Sequence, residues 1–346
     1  MSKRTMLIAG VGAMAMIGAL SFLFLPRTIR IAQKQNVHPI TASLPEASKR
    51  LSPQAGEGLC KGEQQLPRAI AVMLAGDIVA RPLSGIGQAD IVVEMPVVTG
   101  SVNRFMAIFQ CKDAAEIGSV RSARDDFIPL AAAFDAVYAH WGGSHFALDQ
   151  LRGGIIDDID ALRNPFGAYF RKSGIPAPHN GFTSFERLRT VAEKLGYRTT
   201  SHFSGFPAIE NHAQAEGHTQ KTTVLYPASY RVVWEYDSGT GRYARRRGGT
   251  PEIDASTKQQ VTAGTIVIMR TTSRQIEGQY NDIRIVGEGK ATVLRLGEAV
   301  EGRWQKEASP LSAPLRFLDV AGTEIPFAQG PLWIEIIDQT ESVQIE

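Results

Sequence analysis

Ala69-Ile70-Ala71-Val72-Met73-Leu74, closed by Gly76-Asp77, is the stretch from which the fold is read. A short unbroken apolar run stopped by a turn pair reads as a buried strand. Working outward, Asp90 to Val98 and Arg104 to Gln110 read as two further strands, with Thr99-Gly100-Ser101 as the turn between them. Phe127 to Phe134 has helical texture and Ala136 to His140 is another short strand. Gly142-Gly143-Ser144 then leads into a helix for which Ser144 is the expected N-cap. Ser184 to Gly196 is amphipathic, with Ser184 capping, Leu188, Val191 and Leu195 on one face, and Gly196 ending the helix. Strands mixed with helices predict an α/β or α+β domain over residues 60–215.

Beyond that point the texture changes. Val232 to Tyr236, Thr265 to Arg270, Ile283 to Val286, Ala291 to Leu296 and Trp333 to Ile337 are strand-like, separated by turns such as Ser238-Gly239-Thr240-Gly241 and Gly287-Glu288-Gly289. This pattern predicts a mostly β domain, sandwich or small barrel, over residues 216–346. Residues 31–59 are polar and spaced by Pro39, Pro45 and Pro53, the composition of a flexible tether.

The first thirty residues point to a membrane. Lys3 and Arg4 precede an uncharged apolar run from Met6 to Leu25, stopped by Pro26 and Arg27. Its helical length, roughly 30 Å, matches the hydrocarbon core of a bilayer. Ala19-Leu20-Ser21 offers a small-x-small cleavage site, but Phe22-Leu23-Phe24-Leu25 continues the run, so the expectation is an uncleaved transmembrane anchor. The soluble part is then expected on the periplasmic or exterior face of a bacterial cytoplasmic membrane. Cys60 and Cys111 are the two cysteines of the chain. An even count fits an oxidising compartment and a disulfide, and it also fits two buried thiols.

The formal net charge is only +2, so nucleic acid is not an expected partner. The run Arg245-Arg246-Arg247 reads as a solvated loop leading into a hairpin tip at Gly248-Gly249. A second arginine group has more chemical content. Arg104 begins a strand, and Arg121 and Arg124 lie three apart in Gly118-Ser119-Val120-Arg121-Ser122-Ala123-Arg124-Asp125-Asp126. A helical turn there would place both guanidiniums on one side, where their forks suit phosphate or carboxylate oxygens. The alternative is a structural network with Asp125, Asp126 or Asp90. His140, Ser144, His179 and Asn180 complete the ligand-binding candidates. His140 and His145 with a carboxylate have zinc-ligand chemistry but match no closed zinc spacing. Ser144 after two glycines lacks the second glycine of a nucleophile elbow and fits a cap better. No resident cofactor is expected.

Several of these stretches are similar to the YerB-like bacterial lipoprotein family, built of two domains of unknown function. The matching text includes Arg81-Pro82-Leu83-Ser84-Gly85-Ile86-Gly87-Gln88-Ala89-Asp90, Arg104-Phe105, Ile117 to Arg124, His140 to Ser144 and Ala177-Pro178-His179-Asn180. Trp234 to Asp237, Thr240 to Tyr243 and Gly302 to Lys306 resemble the family's C-terminal module. The resemblance implies a two-domain envelope protein. The chain departs from lipoprotein members in having no cysteine near Ser21, so its anchor is expected to be the helix itself. A shorter likeness, through Gln88 to Ile91, Ser122 to Asp125 and Ala139 to Gly143, is to the LytR-CpsA-Psr phosphotransferases. It implies Arg121 and Arg124 on a pyrophosphate, with Asp90 or Asp125 near a divalent metal. The expected function is binding of an anionic small molecule or envelope polymer, such as a cell-wall polymer or its lipid carrier. Transferase and non-catalytic scaffold are the alternatives, and the β domain is a candidate to bind a protein partner.

Overall fold

The computed structural model describes residues 50–51, 60, 65–98, 102–209, 221–226, 230–278 and 280–346. The apolar run 6–25, nearly all of the tether and the turn at Thr99-Gly100-Ser101 lie outside the described residues. In chain order the main elements are β1 (Ile70–Ala75), β2 (Ile91–Pro96), β3 (Asn103–Phe109), α1 (Ile128–Ala133), β4 (Val137–His140), α2 (His145–Arg152), β5 (Asp158–Asp160) and α3 (Phe185–Lys194). They continue as β6 (Lys221–Tyr226), β7 (Tyr230–Asp237), β8 (Arg242–Arg247), β9 (Thr265–Thr271), β10 (Gly287–Arg295), β11 (Glu298–Lys306), β12 (Arg316–Asp319) and β13 (Leu332–Asp338). The first half is thus mixed α and β, and the described part of the second is mostly β.

The helices end where the sequence says they should. Ser144 Oγ accepts from the Ala147 amide at 3.1 Å and Ser184 Oγ from that of Arg187 at 3.2 Å, each satisfying an orphan donor of a first turn. Gly196 follows α3 at φ +77°, a left-handed conformation that glycine adopts without strain. Leu188 and Val191 are buried, while Leu195 at the C-cap, expected on the same face, is exposed.

One ten-stranded sheet, ordered β12-β11-β10-β9-β13-β2-β3-β1-β4-β5, runs through both halves of the chain. The sequence predicts a second half closed on itself as a sandwich or barrel. Instead β13 lies parallel to both β9 and β2, with Ile334 opposite Val267 on one side and Val93 on the other. Its residues Leu332 to Ile337 are all buried, as expected for a strand covered on both faces. The same holds for β1. Val72 and Leu74 join a core shared with Phe105, Trp234, Trp333 and α3, whereas Ala71 and Met73 join a core with Met106, α1 and Phe206. The first core is roofed by a second, antiparallel sheet of β8, β7 and β6, with Thr250–Pro251 beyond β8 and Val343–Ile345 beyond β6.

Two local expectations fail for identifiable reasons. Arg245-Arg246-Arg247 is not a solvated loop but the end of β8, whose register with β7 turns alternate residues inward. Tyr243, Arg245 and Arg247 are buried and Arg246 is not, the period of two of a strand. Gly248-Gly249 does form the predicted hairpin tip, with Arg247 paired to Thr250 and both glycines at positive φ. Gly287-Glu288-Gly289, read as a turn, is the start of β10. A Cβ at Gly289 would sit 2.5 Å from Trp304 Nε1, so the glycine lets the indole pack against the strand.

Candidate anion site

The site begins where β1 ends. A Cβ at Gly76 would lie 2.0 Å from the Asn103 carbonyl oxygen, so β3 can pass this close only to a glycine. Register then sets Arg104 opposite Ala75, and its Nη1 donates to Asp77 Oδ2 at 3.1 Å. The segment carrying Arg121 runs alongside: Val120 bridges Leu74, and the Arg121 amide donates to the Met73 carbonyl at 2.9 Å. Arg121 Nη1 lies 3.8 Å from the same Asp77 oxygen and donates to His179 Nδ1 at 3.1 Å. Arg104 forms the buried back of the cluster, and Asp77, Arg121 and His179 are partly exposed. Burial, then the charge of Arg121, lowers the Arg104 guanidinium to about 10, against the pull of Asp77. His179 is lowered as well, by burial and then by Arg121. A neutral ring fits the geometry, because Nδ1 has to accept from a guanidinium that can only donate.

Arg121 and Arg124 do not share a helical turn. The backbone is extended at Arg124, with φ −131° and ψ 144°, and Ala123 bridges Gly143. Arg124 Nη1 donates to the Ala123 carbonyl at 3.0 Å, and its guanidinium lies 5.4 Å from the Tyr280 ring centroid. Burial lowers its pKa too. Among the described residues no carboxylate lies within 4.0 Å of a nitrogen of Arg124, so the alternative network with Asp125, Asp126 or Asp90 is not formed at this arginine. The one carboxylate in ion-pair range of the cluster among the described residues is therefore Asp77, which meets Arg104 and Arg121 but not Arg124 and which the sequence shows only as part of a strand-ending turn.

The other candidates are placed elsewhere or otherwise engaged. His140 is fully buried, with Nδ1 2.9 Å from the Gly142 carbonyl oxygen and Nε2 3.3 Å from Asp158 Oδ2. Ser144 caps α2 and donates to Asp125 Oδ1 at 3.3 Å. Asn180 Oδ1 accepts from Arg171 at 2.6 Å, which leaves the asparagine next to His179 in sequence but bonded away from it. Asp90 Oδ2 accepts from the Gln110 and Cys111 amides at 2.6 and 3.0 Å. Cys60 and Cys111 are joined by a disulfide, with Cα atoms 5.0 Å apart. Among the described residues no three histidine, cysteine or acidic side chains are grouped as metal ligands.

A second ionic centre was missed entirely. Arg245 is fully buried under the second sheet and donates Nη2 to Glu94 at 2.5 Å, Nε to Glu252 at 2.6 Å and Nη1 to Glu335 at 2.7 Å. Its guanidinium stacks on Trp333 with 4.3 Å to the centroid. Burial works against its charge, but Glu94, Glu252 and Glu335 hold it well above its ordinary value. Burial, with Glu94 alongside, pushes Glu335 up to about 7, and the carboxylate also accepts from Tyr226 and Trp234. The inward period of β8 was the available signal. The carboxylate partners could not be read, because Glu94 and Glu335 lie on strands far away in sequence.

These features define a protein of two interlocked halves, mixed α/β and then β, with a partly open arginine cluster at the end of a central strand. The chain belongs to the family described as "Protein of unknown function (DUF3048)": the N-terminal domain model matches residues 55–198 and the C-terminal one residues 222–334. It is 29% identical over 310 residues to the Bacillus subtilis (strain 168) protein named "Putative lipoprotein YerB", covering 88% of this chain and 91% of that one. The crystal structure of YerB protein from Bacillus subtilis matches with a TM-score of 0.76 and 27% identity, over 86% of this chain and 99% of that one.

Proposed function

We propose that this chain is an envelope protein held in a bacterial cytoplasmic membrane by residues 6–25, with residues 60–346 outside the cytoplasm. Its Arg104–Arg121–Arg124 cluster binds an anionic group of a cell-wall polymer or its lipid carrier. One observation carries the binding half: three guanidiniums, one of them lowered to about 10, for which the described residues supply a single carboxylate in ion-pair range, Asp77, reaching Arg104 and Arg121. An added oxyanion would relieve that repulsion and accept from forks that are already positioned. The anchor half rests on the length and charge pattern of the apolar run, and the lipoprotein name of the relative is consistent with it.

A transferase would in addition have to hold a divalent ion. Asp90 commits Oδ2 to two backbone amides and Asp125 faces Ser144, which favours binding without turnover. Isothermal titration of inorganic pyrophosphate into the full chain in detergent tests the reading. Loss of one charge-assisted bond, about 1.5–3 kcal/mol, should weaken binding roughly tenfold or more in Arg121→Ala. Absence of saturable binding to the wild-type chain sinks the proposal, and magnesium-dependent hydrolysis of pyrophosphate to two orthophosphates would replace binding without turnover by phosphoryl chemistry at this site.

A further inference from the structure

The second layer holds a pocket of about 290 Å³ lined by Arg81, Pro82, Arg247, Thr250, Pro251, Glu252 and Ile253. Its two arginines differ in how far they are already satisfied. Arg247 donates to Glu252 Oε1 at 3.4 Å and to the Gly76 carbonyl at 3.0 Å, with its guanidinium 3.5 Å from the Tyr230 centroid. The Arg81 side chain has a single hydrogen bond among the described residues, from Nη2 to the same Gly76 carbonyl at 3.3 Å. It lies 4.7 Å from the Tyr230 centroid, and no carboxylate is in ion-pair range of it among the described residues. Its Nε is buried without a partner. Burial lowers the Arg81 pKa more than Glu252 and Glu94 raise it, so the charge is incompletely compensated where it stands. A guanidinium offers five N–H groups in a fixed fork, and most of this fork is unused.

We propose that this pocket binds a small monocarboxylate, its oxygens on the Arg81 guanidinium and its apolar end against Pro82, Pro251 and Ile253. The charge count selects a monoanion. Glu252 lines the same pocket and stays ionised, held down to about 2 by Arg245 and Arg247 in spite of burial. A doubly charged phosphate would meet that carboxylate with twice the repulsion of a singly charged ligand, while gaining one uncompensated cation. The volume, at the small end for ligand sites, suits an acid of a few carbon atoms. The site neighbours the Asp77 cluster but uses a different cation: among the described residues no ion pair joins Arg81 to Asp77, and residues 250–253 form part of its wall with Arg81, Pro82 and Arg247.

The experiment uses the full chain in deuterated detergent, with butyrate as probe in saturation-transfer proton NMR and orthophosphate as a competing probe followed by phosphorus line width. Wild type should bind butyrate saturably, Arg81→Gln should weaken it about tenfold or more, and Arg81→Lys should retain part of it. Arg121→Ala should bind butyrate as wild type does, which separates this pocket from the anion site proposed above. Should Arg81→Gln fail to fold, Ile253→Trp fills the pocket and should abolish the signal with Arg81 intact. Equal butyrate signals in wild type and Arg81→Gln, or in wild type and Ile253→Trp, overturn the proposal. Tighter binding of orthophosphate than of butyrate, lost in Arg81→Gln, overturns the choice of a monocarboxylate.

Discussion

Replacing Arg245 with methionine should be among the most damaging single changes in the molecule. The guanidinium is fully buried and holds three carboxylates at once, those of Glu94, Glu252 and Glu335, at 2.5 to 2.7 Å. Methionine fills much of the space between Trp234 and Trp333 but answers none of the three charges. Stranding one buried charge costs about 3–5 kcal/mol. The sum does not reach three times that figure. Glu335, already pushed up to about 7, can take a proton, and Arg247 still faces Glu252 at 3.4 Å and Glu94 at 3.7 Å. A loss of about 3–5 kcal/mol is therefore expected, a large fraction of the stability of an ordinary domain. Urea unfolding at pH 8, followed by tryptophan fluorescence, measures it. Adding Glu94→Gln and Glu335→Gln to Arg245→Met should restore much of the loss, since neutral amides still pair with Asn103, Tyr226 and Trp234. A single-variant loss below about 1 kcal/mol would mean that the three carboxylates do not depend on this guanidinium.

Three more expectations follow from the same physics. Burial, with Asp125 nearby, raises Asp126 to about 8 from 3.8, so its contribution is complete below 3.8 and is lost as pH rises through about 8; Asp126→Asn should flatten that decline in urea unfolding, and an unchanged slope would count against it. Cys60 and Cys111 should resist thiol alkylation until reduced, and reduction should cost about 4 kcal/mol in the chain-entropy model for the loop they close; free thiols in exported protein would contradict the bond. Alkaline phosphatase fused after Glu346 should be active, since the apolar run 6–25 is read as an export anchor, and an inactive fusion at normal expression would reverse the topology.

What the sequence made legible was local. The strand at Ala69 to Leu74, the caps at Ser144 and Ser184, and the hairpin tip at Gly248-Gly249 each depend on neighbours within a few residues, and each is found. The insertion of β13 between β9 and β2 was not legible, because an apolar strand carries no mark of which partners it will take. The same limit explains the arginines. Clustering of Arg104 with Arg121 depends on Asp77, brought to both by the close passage of β3 over Gly76. Arg245 was misread because three consecutive arginines look solvated until their strand period is known, and its carboxylates come from three separate segments.

On the reading proposed above, the Arg104–Arg121–Arg124 cluster is kept for an anion and not for stability. The melting midpoint of the full chain with and without inorganic pyrophosphate tests it directly, on wild type, Arg121→Ala and Arg124→Ala. Among the described residues the Arg121 guanidinium has only a 3.8 Å approach to Asp77 and one bond to His179, and Arg124 has no carboxylate in range. Both variants should therefore melt close to wild type without ligand, and both should lose most of the upward shift that pyrophosphate gives the wild-type chain. Midpoints that collapse without ligand in both variants, or a ligand shift that survives in them, would mean that the arginines serve the fold and not an anion.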